Sequence, residues 1–282
     1  MINFFLYLLV FAVPHRIVDA EMTKFCANLA FLFTESNLLE RYNLAKNAGF
    51  KCVETGFPFG FTREEVVKAK TSSGLEQVLI NIYTGDVTKG ELGFAALPGK
   101  EQEFKESIHK TIQYAKDLGV RKIHIMSGRV LEGVSQANDN AYLQNLKYAA
   151  GLLEKENIVG LIEPINSYSV PNYYMNSYKK AVEVVETIKS PNLKIMLDIF
   201  HLQHIQGNVS NTIKDLMKYI GHVQIAQVPN RNEPNTDGEL NYKYILDLLR
   251  KEGYTDWIGL EYKPKSDTLK GLNWIKEMGY SL

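Results

Sequence analysis

Glu163, Asp198, Gln224 and Glu261 each close a short apolar run. The runs are Ile158 to Glu163 (IVGLIE), Leu193 to Asp198 (LKIMLD), Gly221 to Gln224 (GHVQ) and Trp257 to Glu261 (WIGLE). Such runs have the pattern of parallel strands buried on both faces. An acid at the end of a buried strand has little water to solvate it, so it needs a cation or hydrogen-bond donors. Any one of these acids alone reads as a helix cap or the partner of a surface lysine. Four oxygen-bearing side chains at equivalent places are a stronger signal. In a closed parallel barrel the strand ends converge on one mouth. Three carboxylates and an amide there suit a hard divalent cation.

Such a site points to proton chemistry beside a carbonyl. A cation on a carbonyl or alkoxide oxygen stabilises the charge that develops on enolisation. Two glutamates flanking a small substrate can take a proton from one carbon and return one to its neighbour. Glu163 and Glu261 are three strands apart, with Asp198 and Gln224 between them. His201 is placed either to orient a substrate hydroxyl or a ligand, or to hydrogen-bond within the first turn of a helix. Among basic groups, Arg231 is the best placed to clamp an acidic substrate, because the polar stretch NRNEP closely follows Gln224. Lys263 and Arg129 also follow strand-like runs as candidate substrate-binding groups, and for each a solvated surface charge is the slightly favoured reading. Glu54, at the end of another run, suits hydrogen bonding inside a barrel. His124 and His222 read as interior residues, Trp257 and Trp274 as packing.

From Lys24 onward, strand-like and helix-like segments alternate. Strands are expected at Lys24 to Ala30, Lys51 to Glu54, Gln77 to Tyr83 and Lys122 to Met126, ahead of the four runs above. Helices are expected over Leu38–Ala48, Thr62–Ser73, Gln102–Leu118, Tyr142–Lys155, Ser177–Ile188, Ile213–Tyr219, Tyr242–Lys251 and Leu269–Met278. Thr62 and Glu65 have capping-box spacing, and Gly49, Gly119 and Gly253 follow helical segments as C-cap candidates. A long Gly-containing segment, Thr84 to Gly99, reads as a functional or mobile loop. About eight strand–helix units fit a single (β/α)8 TIM barrel with function on the loops after the strands.

The chain has 282 residues, 45% hydrophobic and 23% charged, enough to bury a full core. Lys+Arg and Asp+Glu are both 32, which argues against broad nucleic-acid binding. Cys26 and Cys52 are too few for a disulfide framework and read as reduced, partly buried thiols. Residues 1–21 form a leader ahead of the barrel domain, 22–282. Phe4 to Val13 is an apolar run of signal-peptide length, and Val18 and Ala20 suit a cleavage site, but no Lys or Arg precedes the run. Two readings stay open: an upstream start on a cytoplasmic enzyme, or a signal peptide on a secreted one. The run is too short to span a bilayer comfortably, so no membrane partner is expected. A homo-oligomer is compatible with all of this.

The segments GLIEPIN, MLDIFHLQ, GHVQIAQVPNRNEPNTDGELNY and IGLEYKP, in this order and spacing, resemble the hydroxypyruvate isomerase family of the xylose isomerase-like barrels. ETGFPF and FCANLAFLFTE are similar to it as well, and the resemblance runs from Met22 to Gly279. It implies interconversion of hydroxypyruvate and 2-hydroxy-3-oxopropanoate, a small oxo-acid pair. It further implies Glu163 and Glu261 as the proton donor/acceptor pair. Glu163, Asp198, Gln224 and Glu261 would be the ligands of Mg or Mn. Related sugar epimerases carry histidine where Gln224 stands, so the glutamine favours the isomerase branch. The alternatives are an isomerase or epimerase of a four-carbon oxo-acid such as 2-dehydrotetronate, or of a free ketose. An inosose dehydratase-like role fits less well. A DNA-repair endonuclease of this superfamily would want a histidine-rich zinc cluster and a basic face, against 6 His and zero net charge here. A secreted, non-catalytic binder of small acids or sugars would not need the retained quartet.

Overall fold

The computed structural model describes residues 23–282, so the expectations for the leader lie outside the described residues. The strands are β1 (Lys24–Asn28), β2 (Cys52–Thr55), β3 (Glu76–Asn81), β4 (Lys122–His124), β5 (Val159–Ile162), β6 (Leu193–Asp198), β7 (Ile220–Ile225) and β8 (Trp257–Leu260). Each pairs in parallel with the next, and β8 closes on β1. The helices between them are α1 (Leu38–Asn47), α2 (Arg63–Ser73), α3 (Glu101–Leu118), α4 (Gln136–Glu156) and α5 (Tyr178–Ile188). They continue as α6 (Ile199–Ile205), α7 (Val209–Leu216), α8 (Tyr242–Lys251), α9 (Thr268–Gly271) and α10 (Asn273–Glu277). This is the expected (β/α)8 barrel.

The barrel interior follows from strand alternation, which puts residues two apart on one face. Cys26, Cys52, Leu161 and Met196 pack together as one buried cluster. Two residues further along the same strands stand Asn28, Glu54, Glu163 and Asp198, all buried. An apolar layer thus supports a polar layer at the mouth. The two thiols are free, buried and 3.2 Å apart. The main core lies outside the sheet, where the helices cover it with residues such as Phe104, Tyr142 and Leu246.

Some helix boundaries differ from expectation. α4 starts at Gln136, because Ser135 and Asn138 form a capping box that extends the helix toward its N-terminus. α6 matches the alternative reading of His201 as a first-turn helix residue, for which the sequence sets no bounds: Asp198 ends β6 and also caps this helix, accepting from Phe200 N at 2.8 Å. The last helix splits into α9 and α10. The expected Thr62–Glu65 capping box is present.

The segment from Thr84 to Gly99 is packed against the barrel. Phe94, Ala95 and Ala96 are buried. Asn138 and Asn145 of α4 donate to the carbonyls of Ala96 and Ala95, both at 2.9 Å. Gly93 has φ +96°, and a Cβ there would overlap the Met126 carbonyl, so only glycine fits. Asn145→Ala leaves the buried Ala95 carbonyl without its donor, a loss of about 1–3 kcal/mol. For a chain of this size the melting temperature is expected to fall by roughly 2–4 °C per kcal/mol. An unchanged thermal unfolding curve would show that this bond does not hold the loop.

Candidate active site

The barrel brings the quartet together. Glu163 and Glu261 stand one residue beyond β5 and β8. Asp198 and Gln224 face each other as register partners across β6 and β7. The Glu261 amide extends the ladder by donating to Ile225 O at 3.2 Å. Glu163, Asp198 and Gln224 are buried, and the Glu261 side chain keeps 15% of its surface exposed.

His201 joins them from the first turn of α6. Its Nε2 lies 3.7 Å from Glu163 Oε1 and 3.5 Å from Asp198 Oδ2. Glu163, Asp198 and His201 each present one atom within a 4.8 Å cluster that has metal-site dimensions. The imidazole is held as a donor, however. The Asn166 backbone N–H points at Nδ1 at 3.2 Å, so Nδ1 accepts and the ring proton sits on Nε2. Burial, with Arg231 nearby, pushes the His201 pKa well below the usual range, so the ring is neutral. A neutral Nε2–H facing this cluster suits the first reading from sequence, a donor to a substrate oxygen.

Arg231 reaches into the carboxylates. Its Nη2 donates to Asp198 Oδ2 at 3.2 Å and to Glu261 Oε2, and its Nε donates to Glu261 O at 3.2 Å. The guanidinium lies between the Phe31 and Phe200 rings, 4.6 and 4.7 Å from their centroids. Among the described residues, Nη1 makes no hydrogen bond. Gln227, which sequence reasoning passed over, fixes the loop that carries Arg231. Its amide nitrogen donates to Pro234 O, Thr236 O and Leu240 O, while its oxygen accepts from Val228 N and Leu240 N. The Lys263 side chain is exposed, as its solvated-charge reading expects; its backbone N–H donates to Arg231 O at 2.7 Å and its carbonyl accepts from Asn232 Nδ2 at 2.9 Å. Arg129 pairs through its backbone with Tyr173 and forms no ion pair with the quartet.

Sequence reasoning also missed Asn28; it placed His124 in the interior, where it is found, but not its approach to Glu163. Asn28 Nδ2 donates to Glu261 Oε1 at 3.1 Å. His124 Nε2 lies 3.5 Å from Glu163 Oε2, and burial pushes its pKa down to about 3, so it too is neutral. Period-2 alternation from Lys122 places His124 inward, a signal that was available.

Three carboxylates, two of them buried, face one guanidinium here. Burial first, then its neighbours Glu261 and Asp198, drive the Glu163 carboxyl well above the usual range. Burial also raises Asp198, against the pull of Arg231. Glu261 is pushed up to about 8 by burial, again opposed by Arg231. Such a cluster takes up protons or a further cation. The oxygens fit the second outcome. Glu163 Oε1 and Gln224 Oε1 are buried without a hydrogen-bond partner, and an all-oxygen donor set of carboxylates and amide suits a hard divalent ion.

Residues 42–278 match the family of xylose isomerase-like TIM barrels. A hydroxypyruvate isomerase of Escherichia coli (strain K12) is 40% identical over 255 residues, covering 90% of this chain and 98% of the relative. A 2-oxo-tetronate isomerase of Cupriavidus necator is 38% identical over 256 residues, covering 90% and 98%. A crystal structure described as an AP endonuclease, family 2, from Brucella melitensis superposes with a TM-score of 0.88 at 38% identity, covering 91% of this chain and 99% of that one. Within the xylose isomerase-like barrels, the chain belongs to the hydroxypyruvate isomerase family. Among the described residues no helix is long and apolar enough to cross a membrane.

Proposed function

We propose that this chain interconverts hydroxypyruvate and 2-hydroxy-3-oxopropanoate through an enediol. The observation that carries this reading is the pair Glu163, buried, and Glu261, mostly buried, at strand ends on either side of Asp198 and Gln224. Their carboxyls are held above the usual range, which suits groups that must both take and give protons near neutrality. One glutamate takes the proton from C3 of hydroxypyruvate, breaking a C–H bond. The other delivers a proton to C2, forming one. The hydroxyl proton on the C3 oxygen moves to the C2 oxygen, so the carbonyl shifts from C2 to C3 with no outside oxidant.

Arg231 binds the substrate carboxylate through Nη1, and the His201 Nε2–H donates to a substrate oxygen. Glu163, Asp198, Gln224 and Glu261 would hold Mg or Mn. When bound, that ion supplies positive charge against the oxygen that turns anionic during enolisation. Lys263, exposed at the rim, contributes at most a long-range attraction to an anionic substrate.

The likeness to a 2-oxo-tetronate isomerase defines the competing substrate. The test is kcat/KM for hydroxypyruvate and for 2-oxo-tetronate under one set of conditions. One extra carbon in a shaped pocket changes discrimination by about 10- to 200-fold. Hydroxypyruvate is expected to be preferred by at least about tenfold. The opposite preference would keep the chemistry and replace the substrate. Turnover of neither would overturn the reading. A phosphodiester substrate, as the endonuclease description would imply, fits poorly: the cluster has only two neighbouring histidines, His124 and His201, and the chain has no net positive charge.

A further inference from the structure

Glu54 is fully buried inside the barrel and is not one of the quartet. All of its side-chain hydrogen bonds come from donors. Lys122 Nζ approaches His222 Nδ1 at 3.3 Å, and an ammonium only donates, so Nδ1 accepts and the His222 proton sits on Nε2. Nε2 then donates to Glu54 Oε2 at 2.6 Å. On the other oxygen, Oε1 accepts from Asn28 Nδ2 at 2.9 Å and Gln224 Nε2 at 2.7 Å. The orientation of Asn28 is fixed independently, because its Oδ1 accepts from Ala30 N at 2.9 Å. Room for the carboxylate is built into the opposite wall. Gly259 has an ordinary φ, yet a Cβ there would overlap both Glu54 oxygens, so the glycine serves space rather than backbone conformation.

This geometry has a consequence for Gln224. An amide can present either its oxygen or its nitrogen to a metal site, and only the oxygen binds a cation. Glu54 captures the nitrogen, which leaves Oε1 as the buried, unpartnered end. Through Asn28, which also donates to Glu261 Oε1, the same carboxylate is linked to a second member of the quartet. We propose that Glu54 is a positioning residue that locks the Gln224 amide with its oxygen toward the cation site, so that affinity for a divalent ion depends on it. This rests on the reading of the quartet as a metal site.

The test is Mn2+ affinity, measured by electron paramagnetic resonance of free Mn2+, in four full-length proteins: the parent, Glu54→Gln, Gln224→Glu, and the double variant. In Glu54→Gln the new amide donates where the carboxylate accepted. Lys122 still holds the His222 proton toward position 54, so Gln224 must turn its oxygen inward. Mn2+ binding is expected to weaken by about 10- to 100-fold, the usual loss when an outer partner of a ligand is removed. The double variant exchanges the two residue types. The amide at position 54 then donates to the carboxylate at position 224, whose other oxygen stays free for the cation. Glu54→Gln is therefore expected to weaken binding beside Gln224 but to strengthen it in the Gln224→Glu background, where it relieves two abutting carboxylates. A merely structural role would lower affinity in both backgrounds. Equal losses in both, or no effect in either, would overturn the proposal while leaving the metal site intact. Absence of Mn2+ binding by the parent would instead remove the metal reading and this inference with it. If the Glu54→Gln single variant does not fold, comparing Gln224→Glu with the double variant tests the same sign.

Discussion

Glu163→Gln is expected to lower kcat on hydroxypyruvate by about 10²- to 10⁴-fold, the range for removing a positioned acid–base group. The amide keeps the shape of the side chain and removes its capacity to carry a proton. The fold should survive, because Glu163 Oε1 has no hydrogen bond to lose and the residue sits among carboxylates that repel it. Thermal unfolding should therefore begin no earlier than in the parent. Turnover at the parent rate would remove Glu163 from the chemistry. Lost turnover with early unfolding would mean that Glu163 is structural.

The second large effect is expected at Arg231. Arg231→Met keeps an unbranched apolar stem, but removes the guanidinium that lies between Phe31 and Phe200 and the charge shared by Asp198 and Glu261. Breaking a buried pair from one side typically costs about 3–5 kcal/mol. The lower end is expected here, because Glu261 can take up a proton and the arginine keeps 14% of its side-chain surface exposed. The variant also loses its donor to the substrate carboxylate. A charge-assisted hydrogen bond of about 1.5–3 kcal/mol corresponds to a KM increase of roughly 10- to 100-fold. Arg231→Lys should recover part of the stability but little of the KM, since one ammonium cannot bridge two acids and hold a third. Unchanged KM and melting temperature in Arg231→Met would contradict both roles.

The barrel was legible because its strands are apolar runs that end in polar groups, and closure of those strands alone gathers Glu163, Asp198, Gln224 and Glu261. What the sequence hid is where a residue does two jobs. Asp198 reads as a strand end and only alternatively as a helix cap, and IFHLQ carries no separate cap residue, because the cap is the same aspartate. Without α6 the orientation of His201 could not be known. Gln227 stabilises its loop by five hydrogen bonds to nearby backbone, and such closure leaves no periodic pattern. Asn28 and Glu54 belong to the polar layer by simple alternation from Cys26 and Cys52. Glu54 was expected to bond inside the barrel and does so; its partners are set by strand register, which pairs Asn28 with Glu54 and Gln224 with Gly259. Lys263 follows its strand more closely than Arg231 does. Its side chain is exposed, and its contact with Arg231 is through the backbone alone.

The most direct measurement is proton NMR of hydroxypyruvate isomerisation in heavy water, with Mg2+ or Mn2+ added. Two different glutamates take and deliver the proton, so the delivered one comes from solvent. The expected result is deuterium at C2 of the 2-hydroxy-3-oxopropanoate formed, with exchange at C3 of recovered hydroxypyruvate, and loss of product labelling in Glu163→Gln, where retained or lost C3 exchange tells which glutamate serves C3. Product that forms at the full rate with hydrogen retained at C2 would contradict proton transfer between Glu163 and Glu261 and point to direct hydride transfer between the two carbons.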